Sequence, residues 1–204
     1  MALKQRGIIV VIPPDTRSNE PSVVITGKTD IELCTQLTEA PQAREEAFAE
    51  LYRRYAARIY RYARRILGDE ADAEDIVQES FLRFLKAISN GKTIENIPAY
   101  LFRIARNQSI NKFHGEREKV ALTEMSAIFE PKPAEAEEAS QIIQMSLELL
   151  PRDQREALVL QVYGGLTYAE IGELMEVPVS TVRNWIVRSK AKMRVTLSRY
   201  YEHP

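Results

Sequence analysis

The feature that most constrains the fold is a helical periodicity of apolar residues that runs through two long blocks of the chain. The first block extends from about residue 29 to residue 114, and the second begins at residue 141. Gly68, the "SNGKT" stretch and Pro98 interrupt the first block, which therefore predicts about four helices. Together the two blocks predict an all-α fold of two small helical domains.

The segments outside these blocks have a different composition. Residues 117–139 are polar, acidic and proline-bearing, as in "FEPKPAEAEEA", and this composition is typical of a flexible linker. We therefore expect domains at residues 29–116 and 140–200 that hold no fixed orientation in the isolated protein, unless a partner or the N-terminal segment clamps them. Residues 1–28 contain "GIIVVIPP" and "PSVVITG", which predict short strands or extended segments in an N-terminal extension of unknown role.

Composition excludes several classes of protein. No apolar run approaches the ~18 residues that a membrane span requires, so we expect a cytoplasmic protein without a membrane partner. Cys34 is the sole cysteine, which excludes an internal disulfide and a cysteine-based zinc site, and we expect it to be half-buried. His114 and His203 lie far from any arrangement typical of a catalytic triad or a metal site, and the chain has no glycine-rich nucleotide loop. No cofactor and no enzymatic activity are therefore expected.

Residues 166–194, "LTYAEIGELMEVPVSTVRNWIVRSKAKMR", predict a helix, a tight turn and a second helix. Thr167 is placed to cap the first helix, in which Ile171 and Leu174 face inward, and the second helix follows a proline. Although the net charge of the chain is −1, residues 183–199 carry six basic and no acidic side chains. Because a polyanion responds to local charge, this segment favours a nucleic-acid partner.

The second helix of this unit separates into two faces. One stripe suits packing on the first helix and consists of Val182, Ile186, Ser189 and Met193. The opposite face consists of Arg183, Asn184, Val187, Arg188 and Ala191. In a DNA major groove arginine pairs with guanine and asparagine with adenine, and a helix N-terminus can hold a phosphate. The pattern indicates a DNA-binding helix-turn-helix, with a solvated amphipathic helix as the alternative.

The upstream block indicates the kind of DNA-binding protein. Residues 48–88, "FAELYRRYAARIYRYARRILGDEADAEDIVQESFLRFLKAI", and residues 94–113, "IENIPAYLFRIARNQSINKF", resemble conserved region 2 of bacterial sigma factors of the extracytoplasmic-function (ECF) group. Residues 147–194, which begin "LELLPRDQREALVLQVYGG", resemble region 4 of the same family. The resemblance covers about residues 29–116 and 141–196 in the order that the family has.

The resemblance implies a promoter-specificity subunit of RNA polymerase that recognises −10 and −35 elements, helps to melt the duplex and has no catalysis of its own. The implied partners are promoter DNA, an anti-sigma factor, and core RNA polymerase at the clamp helices of its largest subunit and its flap region. The segment "DAEDIVQESF" resembles region 2.2, which implies a polymerase-binding acidic stripe. This stripe consists of Asp72, Asp75, Gln78, Glu79 and Leu82, and as a pattern alone it is equally typical of a solvated helix face. Helical spacing directs Val77, Phe81 and Leu85 toward the core.

The segment after this stripe resembles the part of region 2 that opens the −10 element. That role needs aromatic and basic groups near a pocket for an unstacked base, and the loop after the stripe and its following helix supply them. The implied −10 residues are Asn90, Asn96, Tyr100, Arg103, Arg106 and Asn107. Tyr100 stands where many relatives have tryptophan, and Phe102 suits the core at least as well as DNA. The implied −35 residues are Ser180, Thr181, Arg183, Asn184, Arg188, Lys190 and Lys192.

Three residues depart from the pattern of region 4. Glu176 occupies a turn position where relatives often have glycine, and a left-handed backbone there would cost about 1–2 kcal/mol. Gly172 stands where alanine is usual, and Trp185, in place of a common basic residue, either extends the packed face or lies along the DNA backbone. The residues alone leave two other functions open. These are a conventional helix-turn-helix regulator whose residues 29–116 sense a ligand or dimerise, and an interaction module that titrates another factor.

Overall fold

The computed structural model describes the backbone of residues 27–120 and 135–201 and the side chains of residues 27–112 and 139–198. All regular elements in these residues are α-helices, which confirms the all-α prediction. They are α1 (Asp30–Gln36), α2 (Pro41–Leu67), α3 (Glu70–Ser89), α4 (Ile97–Val120), α5 (Glu135–Glu148), α6 (Arg152–Val162), α7 (Tyr168–Met175) and α8 (Val179–Tyr201). The extended segments predicted near the N-terminus lie outside the described residues. No described helix is long and apolar enough to cross a membrane.

Helices α1–α4 form the first unit, and their number agrees with the prediction. The break between α1 and α2 was not among the predicted interruptions. α1 begins with a capping box in which the Thr29 hydroxyl accepts a hydrogen bond from the backbone N–H of Glu32. α2 ends at Leu67, and its C-cap residue Gly68 has a φ of 82°, a left-handed conformation that glycine adopts without a Cβ clash. α2 packs on α3 and α4. The fully buried side chains of this core include Leu51, Ile59, Phe84 and Leu101.

Helices α5–α8 form the second unit, which contains the helix-turn-helix. Thr167 caps α7 in a capping box with Glu170, and Ile171 and Leu174 are buried. α8 packs on α6 and α7. Its fully buried residues are Val182, Ile186 and Ser189, and Met193 is half-buried. The cap and the inward-facing residues were predicted from helical spacing, and these predictions are confirmed.

The two units pack against each other, contrary to the expectation that they hold no fixed orientation. α2 contacts α6, and α4 contacts α7. The backbone of Gly164 in the second unit lies against Phe102 in the first. A Cβ atom built at this glycine would be 3.3 Å from the Phe102 ring. Buried apolar residues of both units form one continuous cluster. Helical spacing marks a residue as inward-facing but does not reveal which neighbour covers it, so the sequence did not predict this interface.

Helix also occupies both ends of the predicted linker. α4 continues to Val120 and α5 begins at Glu135, so the connection between helices is shorter than residues 117–139. The "EAEEA" stretch that suggested an acidic linker is rich in alanine and glutamate, which are strong helix formers. Residues 121–134 lie outside the described residues.

Candidate nucleic-acid and polymerase interfaces

The outer face of α8 carries a cationic surface. Six of the seven residues predicted for the −35 element are exposed, namely Ser180, Arg183, Asn184, Arg188, Lys190 and Lys192. Thr181, in the first turn, is half-buried. The Lys192 ammonium donates a 2.6 Å hydrogen bond to the Leu149 carbonyl, which follows the end of α5. Within the described residues, none of the four cations forms an ion pair with a carboxylate, so their charge is available to a polyanion.

The turn between α7 and α8 accommodates two of the departures from the family pattern. Glu176 has φ 59° and ψ 42°, so the left-handed backbone considered for this turn position is present. At Gly172 a Cβ would lie 2.9 Å from the Val177 carbonyl oxygen, and the Val177 N–H donates a 2.9 Å hydrogen bond to the Gly172 carbonyl. Gly172 therefore lets the turn close directly over α7. Trp185 is half-buried against the hydrophobic core, as the packing interpretation predicts.

The segment predicted to open the −10 element surrounds the start of α4. Three of its six residues are exposed and form no hydrogen bond or ion pair with the described residues of the second unit, namely Asn90, Arg103 and Asn107. Tyr100 is half-buried, with its ring centroid 6.4 Å from that of Phe84 and the Lys92 ammonium 4.7 Å from its own centroid. Phe102 is fully buried, so it is a core residue and does not face DNA.

The remaining two −10 residues, Arg106 and Asn96, hydrogen-bond to the second unit. Arg106 Nε donates a 2.9 Å hydrogen bond to Glu156 Oε1, and only 20% of the Arg106 side chain and 7% of the Glu156 side chain are exposed. Asn96 accepts from the Ala99 N–H at 3.0 Å and donates to Glu170 Oε1 at 2.5 Å. Both residues were expected to face DNA. In the structure their side-chain N–H groups instead donate hydrogen bonds to carboxylates of the second unit. A largely buried guanidinium needs an acceptor, and Glu156 supplies it.

The carboxylates of the acidic stripe on α3 are partly neutralised by neighbouring cations. The Lys112 ammonium, on α4, donates to Asp72 and also to Asp75 Oδ2, the latter at 2.9 Å. Burial alone would lower the pKa of Lys112, but its hydrogen bonds to the two aspartates raise that pKa above its ordinary value. Glu79 pairs with Arg83 one helical turn later, at 2.5 Å. The net negative charge of the stripe is therefore smaller than its sequence suggests.

The part of the stripe that remains open to a partner combines polar and apolar groups. The Asp75 side chain is 67% exposed, Leu82 is 60% exposed and Gln78 is exposed. On the inward side of α3, Val77 and Phe81 are buried and Leu85 is half-buried, which confirms the predicted core face. The open part of the stripe therefore presents one apolar side chain beside carboxylate and amide groups.

The interface between the units contains polar residues that the sequence analysis did not single out. The Arg58 guanidinium donates to the Gly164 carbonyl just beyond the C-terminal end of α6, where the helix dipole favours a cation. Burial lowers the pKa of Arg58. The Tyr62 hydroxyl donates a 3.2 Å hydrogen bond to Glu156 Oε1, and burial, reinforced by this carboxylate, raises the pKa of Tyr62 well above its ordinary value. A signal was present in the sequence, since spacings of four, three and four place four arginines along one face of α2. These are Arg54, Arg58, Arg61 and Arg65.

Comparison with known proteins matches both helical units in order. Family models match at residues 51–118 for sigma-70 region 2 and at residues 140–193 for sigma-70 region 4. The chain is 32% identical over 168 residues to the ECF RNA polymerase sigma factor SigE of Mycolicibacterium smegmatis, an alignment that spans 78% of this chain and 65% of that protein. It is 30% identical over 161 residues to the ECF RNA polymerase sigma-E factor of Escherichia coli, spanning 72% of this chain and 84% of that protein. The chain belongs to the ECF group of the sigma-70 family.

This ECF sigma factor also shares its fold with solved structures of two-unit helical proteins. One is CnrH in complex with the cytosolic domain of CnrY, with a TM-score of 0.63, 23% identity, and coverage of 83% of this chain and 97% of that one. Another is the sigma factor RpoE in complex with the anti-sigma factor NepR from Bartonella quintana, with a TM-score of 0.62, 19% identity, and coverage of 75% and 98%. As a sigma factor, the chain recognises promoters for RNA polymerase. The alternatives of a conventional regulator and a titrating module therefore no longer stand.

Proposed function

We propose that this sigma factor is a specificity subunit without catalysis of its own, which acts in the cytoplasm and contacts polymerase, the −10 element and the −35 element through separate surfaces. The observation that carries this proposal is the cationic outer face of α8, which lies opposite a buried inner face. Cations without a carboxylate partner are best satisfied by phosphates and base edges. We assign Arg183, Asn184 and Arg188 to the base edges of the −35 element, and Lys190 and Lys192 to its phosphates.

On the first unit, we assign the outer face of α3 to the clamp helices of the largest polymerase subunit. Its open part offers the Asp75 carboxylate and the Leu82 side chain, which are both more than half exposed. The charged group can steer the helix toward its partner during association. The apolar side chain can stabilise the complex when its surface is buried at the interface. The second unit is assigned to the flap region of the polymerase.

The −10 surface is complete only when the two units separate. Arg103 and Asn107 are already exposed, and the half-buried Tyr100 ring offers a stacking surface for an unpaired base. Arg106 and Asn96 must first lose Glu156 and Glu170 as partners. We therefore propose that binding to core polymerase opens the packed arrangement. Since CnrH and the Bartonella quintana factor were solved in complexes with CnrY and NepR, we also propose that an anti-sigma protein binds this chain.

The experiment that tests the −35 assignment separates base recognition from phosphate binding. Holoenzyme made with the wild-type chain, with Arg183→Ala or with Lys190→Ala is titrated with promoter duplexes that differ in the −35 element, at several salt concentrations. Loss of a base-edge contact is expected to cost about 1–3 kcal/mol and to relax discrimination at one or two positions. Loss of a phosphate contact is expected to weaken all duplexes alike and to reduce the salt slope by about one. If both variants weaken every duplex equally, α8 is only a phosphate clamp.

A further inference from the structure

An apolar side chain stands in the middle of the polar face of α8. Val187 is 57% exposed, although the residue before it, Ile186, is fully buried. Arg183 precedes Val187 by one helical turn and Ala191 follows it by one turn, and all three are exposed. Val187 therefore has no packing role that would account for an apolar residue at this position.

The surroundings of Val187 favour DNA over a protein as its partner. The exposed Arg183 and Asn184 precede Val187 by four and three residues, so guanidinium and amide groups border the valine on the same face. An apolar protein pocket that closed over Val187 would have to remove water from these groups without replacing their hydrogen bonds. In a major groove the same groups meet base edges and phosphates, which satisfy them, while the valine meets whatever apolar group the bases present.

The major groove presents one such apolar group, the C5-methyl of thymine. Guanine and adenine offer acceptors or donors there, and cytosine has only a hydrogen atom at C5. A valine can neither donate nor accept a hydrogen bond, so it leaves polar base edges unsatisfied but can remove the thymine methyl from water. Ala191, one turn later, has a shorter side chain and less reach.

We propose that Val187 is a specificity-determining residue that recognises thymine in the −35 element by contact with its C5-methyl group. This inference rests on the proposed function, in which α8 enters the major groove. In that pose Arg183 and Arg188 contact base edges of the −35 element, and Val187 contacts a thymine between them. Burial of one methyl-sized group corresponds to a change of about three- to fivefold in affinity.

The test removes the methyl group from the DNA and the valine from the protein, separately and together. Promoter duplexes selected by the wild-type holoenzyme are prepared with each thymine of the −35 element replaced in turn by deoxyuridine, which lacks only the methyl. Affinities are measured for holoenzyme with the wild-type chain, Val187→Ala and the control Val195→Ala, which truncates a valine that is also 57% exposed but lies two turns further along α8. We expect one deoxyuridine to weaken the wild-type and control holoenzymes about three- to fivefold and to leave Val187→Ala unaffected.

Two other results would overturn the proposal. Either no deoxyuridine weakens the wild-type holoenzyme, or the same deoxyuridine penalty persists in Val187→Ala. Scrambling the −35 element in parallel keeps this failure distinct from failure of the proposed function. If scrambling abolishes selective binding while deoxyuridine has no effect, α8 reads the element without Val187. If scrambling has no effect either, the assignment of α8 to the −35 element is itself wrong. Because Val187 is exposed, matched circular dichroism spectra suffice to show that the variants are folded.

Discussion

Glu156 provides the sharpest test of the packed arrangement of the two units. Its carboxylate oxygen Oε1 accepts from Arg106 Nε at 2.9 Å and from the Tyr62 hydroxyl at 3.2 Å, and both donors belong to the other unit. Glu156→Leu keeps most of the side-chain volume but removes this acceptor. Removal of one partner from a buried ion pair typically costs about 3–5 kcal/mol. Because 20% of the Arg106 side chain is exposed, we expect the lower end of that range.

This loss is expected to appear as separation of the units and not as unfolding of either one. Separation lets water hydrate Arg106 and Tyr62, so it relieves the penalty that the substitution creates. A loss of about 3 kcal/mol favours the separated state more than a hundredfold. The assay is a spin-label distance measurement in a Cys34→Ala background, with labels at Glu45→Cys on α2 and Arg194→Cys on α8, two exposed positions in different units.

In the parent chain we expect a single narrow distance, and in Glu156→Leu a broad distribution with unchanged helical content. Glu173→Leu is the matched control, because Glu173 is an exposed residue of the same unit and lies outside this cluster. The reasoning is refuted if folded Glu156→Leu keeps the narrow distance, or if the control broadens it equally.

Three further predictions concern single elements of the fold. Asp75→Lys combined with Glu79→Lys replaces electrostatic attraction to core polymerase by repulsion, and it is expected to reduce binding to core polymerase in a pull-down. The control reverses the charges of Glu45 and Glu46, which are exposed on α2, and should leave this binding unchanged. Glu176→Gly relieves a φ of 59° and should raise the free energy of unfolding by about 1 kcal/mol in urea titration; an unchanged midpoint would contradict it. Burial opposes ionisation of Glu170, but hydrogen bonds from Thr167 and Asn96 lower its pKa below the ordinary 4.5. The stabilisation by this carboxylate should therefore be present above pH 4.5 and be lost as the pH falls through the lowered pKa, a dependence that Glu170→Gln should flatten.

Local features of the fold could be predicted because neighbouring residues determine them. Thr167 and Glu170 form their capping box three residues apart, and the inward stripe of α8 follows from helical periodicity alone. The left-handed backbone at Glu176 was considered only because relatives often have glycine at this turn position, and the structure shows it. Such signals lie within a few residues of the structure that they specify, so no tertiary information is needed.

Contacts between distant segments could not be predicted in the same way. Glu156 reads as one acidic residue in an amphipathic helix, and nothing near it reveals that Arg106, fifty positions earlier, will face it. Lys112 similarly neutralises part of the acidic stripe from another helix. The spacing of the arginines on α2 marked a special face, but Arg58 and Arg65 on that face bond the backbone carbonyls of Gly164 and Ser140 in the second unit. Carbonyl groups carry no signature in a sequence. The charge available at each predicted surface therefore emerged only with the tertiary structure.

The central claim, that this chain directs promoter-specific initiation, is tested most directly by transcription of genomic DNA with reconstituted holoenzyme. Core polymerase with the wild-type chain is expected to start at a limited set of sites that share a −10 and a −35 element, and core polymerase alone is expected not to use them. Arg188→Ala should redistribute starts among these sites according to their −35 sequence. Starts identical to those of core polymerase alone would contradict the assignment, as would selective starts that share no −35 element.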